Sequence, residues 1–205
     1  MPLRQLMLLA IFAAFVGCAK METDESNGTQ SENNPVATEP ETVAGETTEL
    51  TPQNTTIGFV GSHIVETPPD PEARSGTFKE FTGAAVVADG ALQSLTVEID
   101  VASLDTGNEK LDNHLKSADF FDVRENPRAS FQSTNIAAGD GNLVIQGDLS
   151  LLKAVKPIEF EAEVSTEGGL ELQAEFDIDR TEFGMNYGTD KLEKAVRLSV
   201  SVIAK

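Results

Sequence analysis

Few side chains in this sequence are equipped for chemistry. There are two histidines (His63 and His114), one cysteine (Cys18), one tyrosine and no tryptophan. A zinc centre that needs several His or Cys ligands is therefore excluded, and one cysteine leaves no intrachain disulfide. No G-x-S-x-G elbow, P-loop or H-E-x-x-H occurs, so the signatures of common hydrolases, nucleotide-binding proteins and metalloproteases are missing. Carboxylates are abundant, yet pairs such as Glu159 with Glu161 or Asp177 with Asp179 stand two residues apart on alternating segments. That spacing builds one solvated face, not the two sides of a cleft that general acid and base must flank. The expectation is a protein that is not an enzyme. The 34 acidic against 15 basic residues, −19 overall, also argue against nucleic acid as a partner, since neutralising phosphates takes a basic surface.

Cys18 stands in an informative place. Arg4 supplies a positive start, and Leu6 to Val16 is an unbroken apolar run, too short to span a bilayer, which takes about 20 residues. Phe15-Val16-Gly17-Cys18 then resembles a bacterial lipobox, with Phe15 where Leu is usual. We expect residues 1–17 to be a lipoprotein signal peptide, with Cys18 the lipid-attachment site that anchors the chain to a membrane. Ala19 in place of Asp points to the outer rather than the inner membrane, with the chain facing the periplasm. Residues 19–54 carry eight acids against Lys20 alone, and their large apolar residues are scattered. Such a stretch buries too little surface to offset its ordering entropy, so 18–54 is expected to be a lipidated cysteine followed by a disordered acidic linker. Residues 55–205 carry the remaining −13 and form the expected folded domain.

From Thr55 the apolar residues recur with period two. Ile158, Phe160, Ala162 and Val164 alternate with glutamates; Leu170 to Ile178 and Val196 to Val202 repeat the pattern. This marks antiparallel strands with one wet and one buried face. Eight strands are expected, near 55–65, 82–89, 92–101, 129–137, 142–151, 156–166, 169–178 and 195–203, with hairpin turns at Asp140-Gly141 and Gly168-Gly169. One helix is expected from Asn108 to about Phe121, capped by Asn108, with Leu111 and Leu115 on one face. Eight strands must close into a barrel or pair as a sandwich to protect their edges, and period alone does not choose.

Several motifs together resemble the YceI-like family, the lipocalin-like polyisoprenoid-binding proteins of bacterial envelopes. They are Thr55-Thr56-Ile57-Gly58-Phe59-Val60-Gly61-Ser62-His63, Gly76-Thr77-Phe78-Lys79-Glu80-Phe81-Thr82-Gly83, and Val97 to Thr106. The most specific is Asp112-Asn113-His114-Leu115-Lys116-Ser117-Ala118-Asp119-Phe120-Phe121-Asp122 with Pro127 and Phe131, and Arg180-Thr181-Glu182-Phe183-Gly184-Met185 completes the set. There are departures. Gly61 stands where the family pattern has Val, Leu149 to Pro157 lacks the pattern's glycine, and the loop Thr67-Pro68-Pro69-Asp70-Pro71 is rich in proline.

The resemblance implies an all-β, eight-stranded antiparallel lipocalin-like barrel with one short helix. Its apolar interior would take the isoprenoid tail of a quinone or polyprenyl lipid, with no cofactor. Candidate lining residues are Phe59, Phe81, Leu95, Val97, Phe120, Phe131, Phe160, Leu172 and Phe176, and the competing reading is that they pack a solid core. His114 and Arg180 are candidate polar contacts to the ligand, against a bracing role for the histidine and a local carboxylate partner for the arginine. His63 is expected in a strand or at the barrel mouth, and Phe120-Phe121 as lid or plug. The expected partners are the isoprenoid lipid and the membrane, with a homodimer compatible. The rival function is a structural or protein-interaction module of the envelope with a filled barrel.

Overall fold

The computed structural model describes residues 45–64 and 73–205. The expected signal peptide, Cys18, the linker as far as residue 44 and the whole proline-rich loop Thr67 to Pro71 lie outside the described residues. The strands are β1 (Glu46–Leu50), β2 (Thr55–His63), β3 (Ala73–Phe78), β4 (Phe81–Ala88), β5 (Ala91–Asp100), β6 (Leu104–Asp105), β7 (Arg128–Ala138), β8 (Leu143–Leu151), β9 (Ala154–Ser165), β10 (Leu170–Asp179) and β11 (Leu192–Ala204). One α-helix, α1 (Glu109–Leu115), follows β6.

All eleven strands belong to one strongly curled antiparallel sheet, in the order β1-β4-β5-β7-β8-β9-β10-β11-β2-β3-β6. The all-β, barrel-like class with one helix is as expected, but among the described residues the strands number eleven, not eight. The three additions have weak local signals. β1 falls inside the stretch expected to be linker, so order begins before Thr55; it presents Glu46 and Glu49 to solvent and buries Leu50. β3 (Ala-Arg-Ser-Gly-Thr-Phe) lacks apolar alternation, and β6 is two residues long.

These extra strands extend the two edges of the sheet. The ladder is interrupted between β2 and β4. β1 covers the β4 edge over Gly83–Val87, while β3 covers the β2 edge over Gly58–Ser62. The corner from β3 to β4 is pinned by Ser103, whose Oγ accepts from the Lys79 and Glu80 amides at 3.2 and 2.9 Å. Unpaired edges are thereby shortened at both ends of the sheet.

Two apolar cores lie along the lumen. One, at the β1 end, gathers Leu50, Ala85, Leu92, Leu95, Ile145, Phe160, Ala162, Leu170, Leu172, Ala174 and Val202, all buried. The other, at the α1 end, contains Val101, Ala129, Leu151, Ile178, Phe183 and Met185. Phe176 packs against both, and it stacks on Phe160 with ring centroids 4.2 Å apart.

The helix is shorter than expected. Asn108 caps it as expected, its Oδ1 accepting from the Lys110 and Leu111 amides. It ends at Lys116, where the Ser117 hydroxyl takes the His114 carbonyl at 2.7 Å, and the Phe121 amide returns to the Leu115 carbonyl at 3.0 Å. That fold-back sends Phe121 against Phe59 and Phe78. The departure at Leu149 to Pro157 leaves a two-residue turn between β8 and β9 intact. Leu152 holds it in the left-handed region (φ 54°) while packing its side chain on the α1-end core. A branched-chain residue adopts that conformation at a steric cost, which burial of its side chain offsets.

Candidate functional site

Alternation decides which residues of each strand face the lumen. On β2 these are Ile57, Phe59, Gly61 and His63; on β11, Val196 and Leu198, paired across the ladder with Gly61 and Phe59. At the α1 end these positions do not meet in the middle. They enclose a cavity of about 550 Å³, within the usual range of roughly 300–1,000 Å³ for small-molecule sites. Its walls are carbon-rich: Ile57, Phe59, Phe78, Ile99, Leu149, Leu151, Ile178 and Leu198 from the strands, with Leu111 and Leu115 from α1. Among the described residues, Ser62, His63, Arg74, His114, Arg180, Tyr187, Asp190, Lys191 and Glu193 supply the polar part of the lining.

Two aromatic groups shape this space. Phe59, Phe78 and Phe121 form a tilted trio with centroids 5.6 to 6.5 Å apart. The Phe59 ring lies across Gly76 of the neighbouring strand, where any Cβ would collide with it. The second trio is His114, Phe120 and Tyr187, with centroids 5.1 to 5.3 Å apart. His114 Nε2 lies 3.2 Å from Asp119 Oδ2, a bond in which the imidazole must donate because a carboxylate only accepts. Both groups are about half exposed. His114 thus braces the segment after α1 and still faces the cavity with its ring.

Arg180 is 4% exposed. Its Nε donates to the Glu193 carbonyl at 2.9 Å, Nη1 to those of Met185 (2.6 Å) and Tyr187 (3.0 Å), and Nη2 to that of Leu192 (3.3 Å). The need for such a residue is local. Pairing of β11 with β2 slips between Leu192 and Val196, which frees carbonyls at the cavity rim. A planar guanidinium can satisfy several of them at once. Its partners are backbone carbonyls, where a local carboxylate was the expected alternative. Burial lowers the Arg180 pKa, and the Asp179 charge works the other way. Asp179 is itself held below the ordinary carboxylate value by the Thr181 hydroxyl (2.6 Å) and amide (2.8 Å).

Of the residues singled out from the sequence, Phe59, Phe120, His114 and Arg180 line the cavity. Leu95, Phe160 and Leu172 lie in the packed core at the β1 end, and Val97, Phe131 and Phe176 pack against it. Phe81 is buried at the start of β4, beside the β3–β4 corner. His63, expected in a strand or at the mouth, and Phe121, expected with Phe120 as lid or plug, also line the cavity; Ile57, Phe78, Ile178, Met185, Tyr187 and Leu198 were not named as lining and do line the site. The helix spacing of Leu111 and Leu115 was the one available signal for that wall.

A model of the YceI-like domain matches residues 49–204. Protein YceI of Escherichia coli is 37% identical over 95 residues, which are 45% of this chain and 50% of that protein. The chain spans about half the length of the curated relatives it matches. Among solved structures, Burkholderia cenocepacia BcnA superposes with a TM-score of 0.65 at 23% identity, covering 74% of this chain and 96% of that one. A polyisoprenoid-binding domain from Saccharophagus degradans, implicated in plant cell wall breakdown, gives 0.58 at 12% identity, covering 77% and 97%. At these identities the two structures speak for the fold alone.

Proposed function

The chain belongs to the YceI-like family, and on that premise we propose that it binds an isoprenoid lipid of quinone or polyprenyl type, without catalysis, in the cavity at the α1 end. The observation that carries the reading is the unfilled, carbon-lined 550 Å³ space inside an otherwise packed sheet. Each prenyl unit has five carbons, and at about 0.8 kcal/mol per buried CH₂ it gains roughly 3–4 kcal/mol before ordering costs. A short run of units therefore suffices for useful affinity. The polyisoprenoid-binding domain with the same fold supports this choice of ligand.

The same proposal includes the envelope. Lipidated Cys18 would tether the domain facing the periplasm, the outer membrane being favoured by Ala19. Transport, storage or a stress response would be the use made of the bound lipid. The test is to purify the full chain from a bacterium, extract it, and compare its lipid content by mass spectrometry with that of an Ala129→Leu variant. Ala129 is buried in the cavity wall. A prenyl compound near one per chain, lost in the variant, is the expected result. Equal lipid content in both, or none in either, refutes this site.

A further inference from the structure

Resting on that reading, we propose that Gly61 is a specificity-determining residue: it opens a bay in the cavity wall that receives the ring-bearing head of the ligand. The inward positions of β2 run Ile57, Phe59, Gly61, His63, from apolar depth to polar rim. Across the ladder Gly61 pairs with Val196 on one side and Arg74 on the other, and both line the cavity. A Cβ built on Gly61 meets no heavy atom of the described residues within 4 Å.

The slip in β11 begins beside Gly61, at its pair with Val196, but it inserts the extra residues in β11 and leaves Gly61 itself paired on both sides. The backbone of Gly61 is not in the left-handed region, so no turn requires it. Among the described residues no side chain occupies the space above it, in contrast to Gly76 one row deeper, which is covered by Phe59. Glycine weakens a strand interior relative to alanine, and an uncovered one marks a place where another molecule approaches the backbone. The neighbouring inward positions of β2 carry full-sized side chains, Phe59 and His63, so the row at Gly61 has room for a group wider than a prenyl ribbon. An amphiphile with its tail against Phe59 and Leu198 brings its head to this row. There the lining changes to Ser62, His63 and Arg74. A planar quinone or phenol ring has the width and the oxygen atoms for that position; an acyclic prenol lacks the width.

The experiment uses the full chain, the Gly61→Val variant and two probes with the same tail, a farnesyl-substituted benzoquinone and farnesol, titrated by calorimetry. The variant side chain enters open space and suits a strand, so its melting temperature should equal or exceed that of the unaltered protein, a signature that misfolding cannot imitate. Its affinity for the quinone should fall about tenfold or more, the scale on which small changes of volume discriminate in apolar pockets, with farnesol affected about twofold at most. Gly61→Ala should give an intermediate loss, and it carries the test if Gly61→Val fails to fold. Equal losses for both probes, or no loss for either, overturn the assignment of Gly61 while leaving lipid binding in place. An unaltered protein that binds neither probe overturns the proposed function itself.

Discussion

At the β1 end of the sheet, Leu50, Leu92, Leu172 and Val202 meet across the lumen, each at most 3% exposed, and the Phe160–Phe176 stack borders them. At the α1 end the sheet carries Ala129 on β7, Gly61 on β2 and rings laid against the wall, and a cavity remains. One continuous set of β-ladders thus makes both a solid and a hollow region. The inner face is apolar at both ends, so apolar patterning alone does not separate them. Stability and binding capacity are thereby assigned to opposite ends, and substitutions at the two ends should separate them.

The largest effect is expected in the packed half. Leu172 is 0% exposed, and Leu172→Ala should destabilise the protein by about 2–5 kcal/mol in urea unfolding, from lost burial plus the void left behind. The cavity should still take up lipid wherever the variant remains folded. Next comes the rim. Arg180→Met strands the buried Met185 carbonyl, at about 1–3 kcal/mol, and leaves the half-buried Tyr187, Leu192 and Glu193 carbonyls to water; amide hydrogen exchange in that segment should accelerate while the β1-end amides stay protected.

A matched pair sharpens the contrast. Ala85, 0% exposed in the packed core, and Ala129, in the cavity wall, differ in what surrounds them. Ala85→Leu should cost about 1–3 kcal/mol by overpacking, measured by urea unfolding. Ala129→Leu should cost clearly less in the same assay, because its added carbons enter the cavity, and should lower lipid uptake. Similar costs at both positions would break the distinction between the two ends.

The smallest effect concerns acid. The Asp179 pKa is lowered on folding, so its stabilisation is complete above the ordinary value of 3.8 and is lost as pH falls through the folded value. Asp179→Asn should flatten the fall in melting temperature below that pH and leave the neutral range nearly unchanged apart from a uniform offset.

These features also explain what the sequence could disclose. Strict alternation in β9, β10 and β11 identified them to within a few residues, because a two-faced strand must repeat every second position. β1 and β3 were hidden because each strand is short and is held in place by the neighbour it covers; no residue of β3 is fully buried. Period also specifies which face is inward, not how far along the lumen a residue sits. Leu95, Phe160 and Leu172 were therefore selected with Phe59, although the structure places them at opposite ends. Gly61 stood out in the sequence as a departure from the family pattern. The empty space beside it became visible only with the neighbouring strands in place.

The central claim is that the α1 end is hollow so that an isoprenoid tail can enter it. The most direct test is a crystal structure of the protein incubated with a prenylated benzoquinone. Tail density is expected between Ile57, Phe59, Ile178 and Leu198, with the β1-end core unchanged. Side chains collapsed into that space with no ligand, or ligand bound only on the outer acidic face, would contradict it.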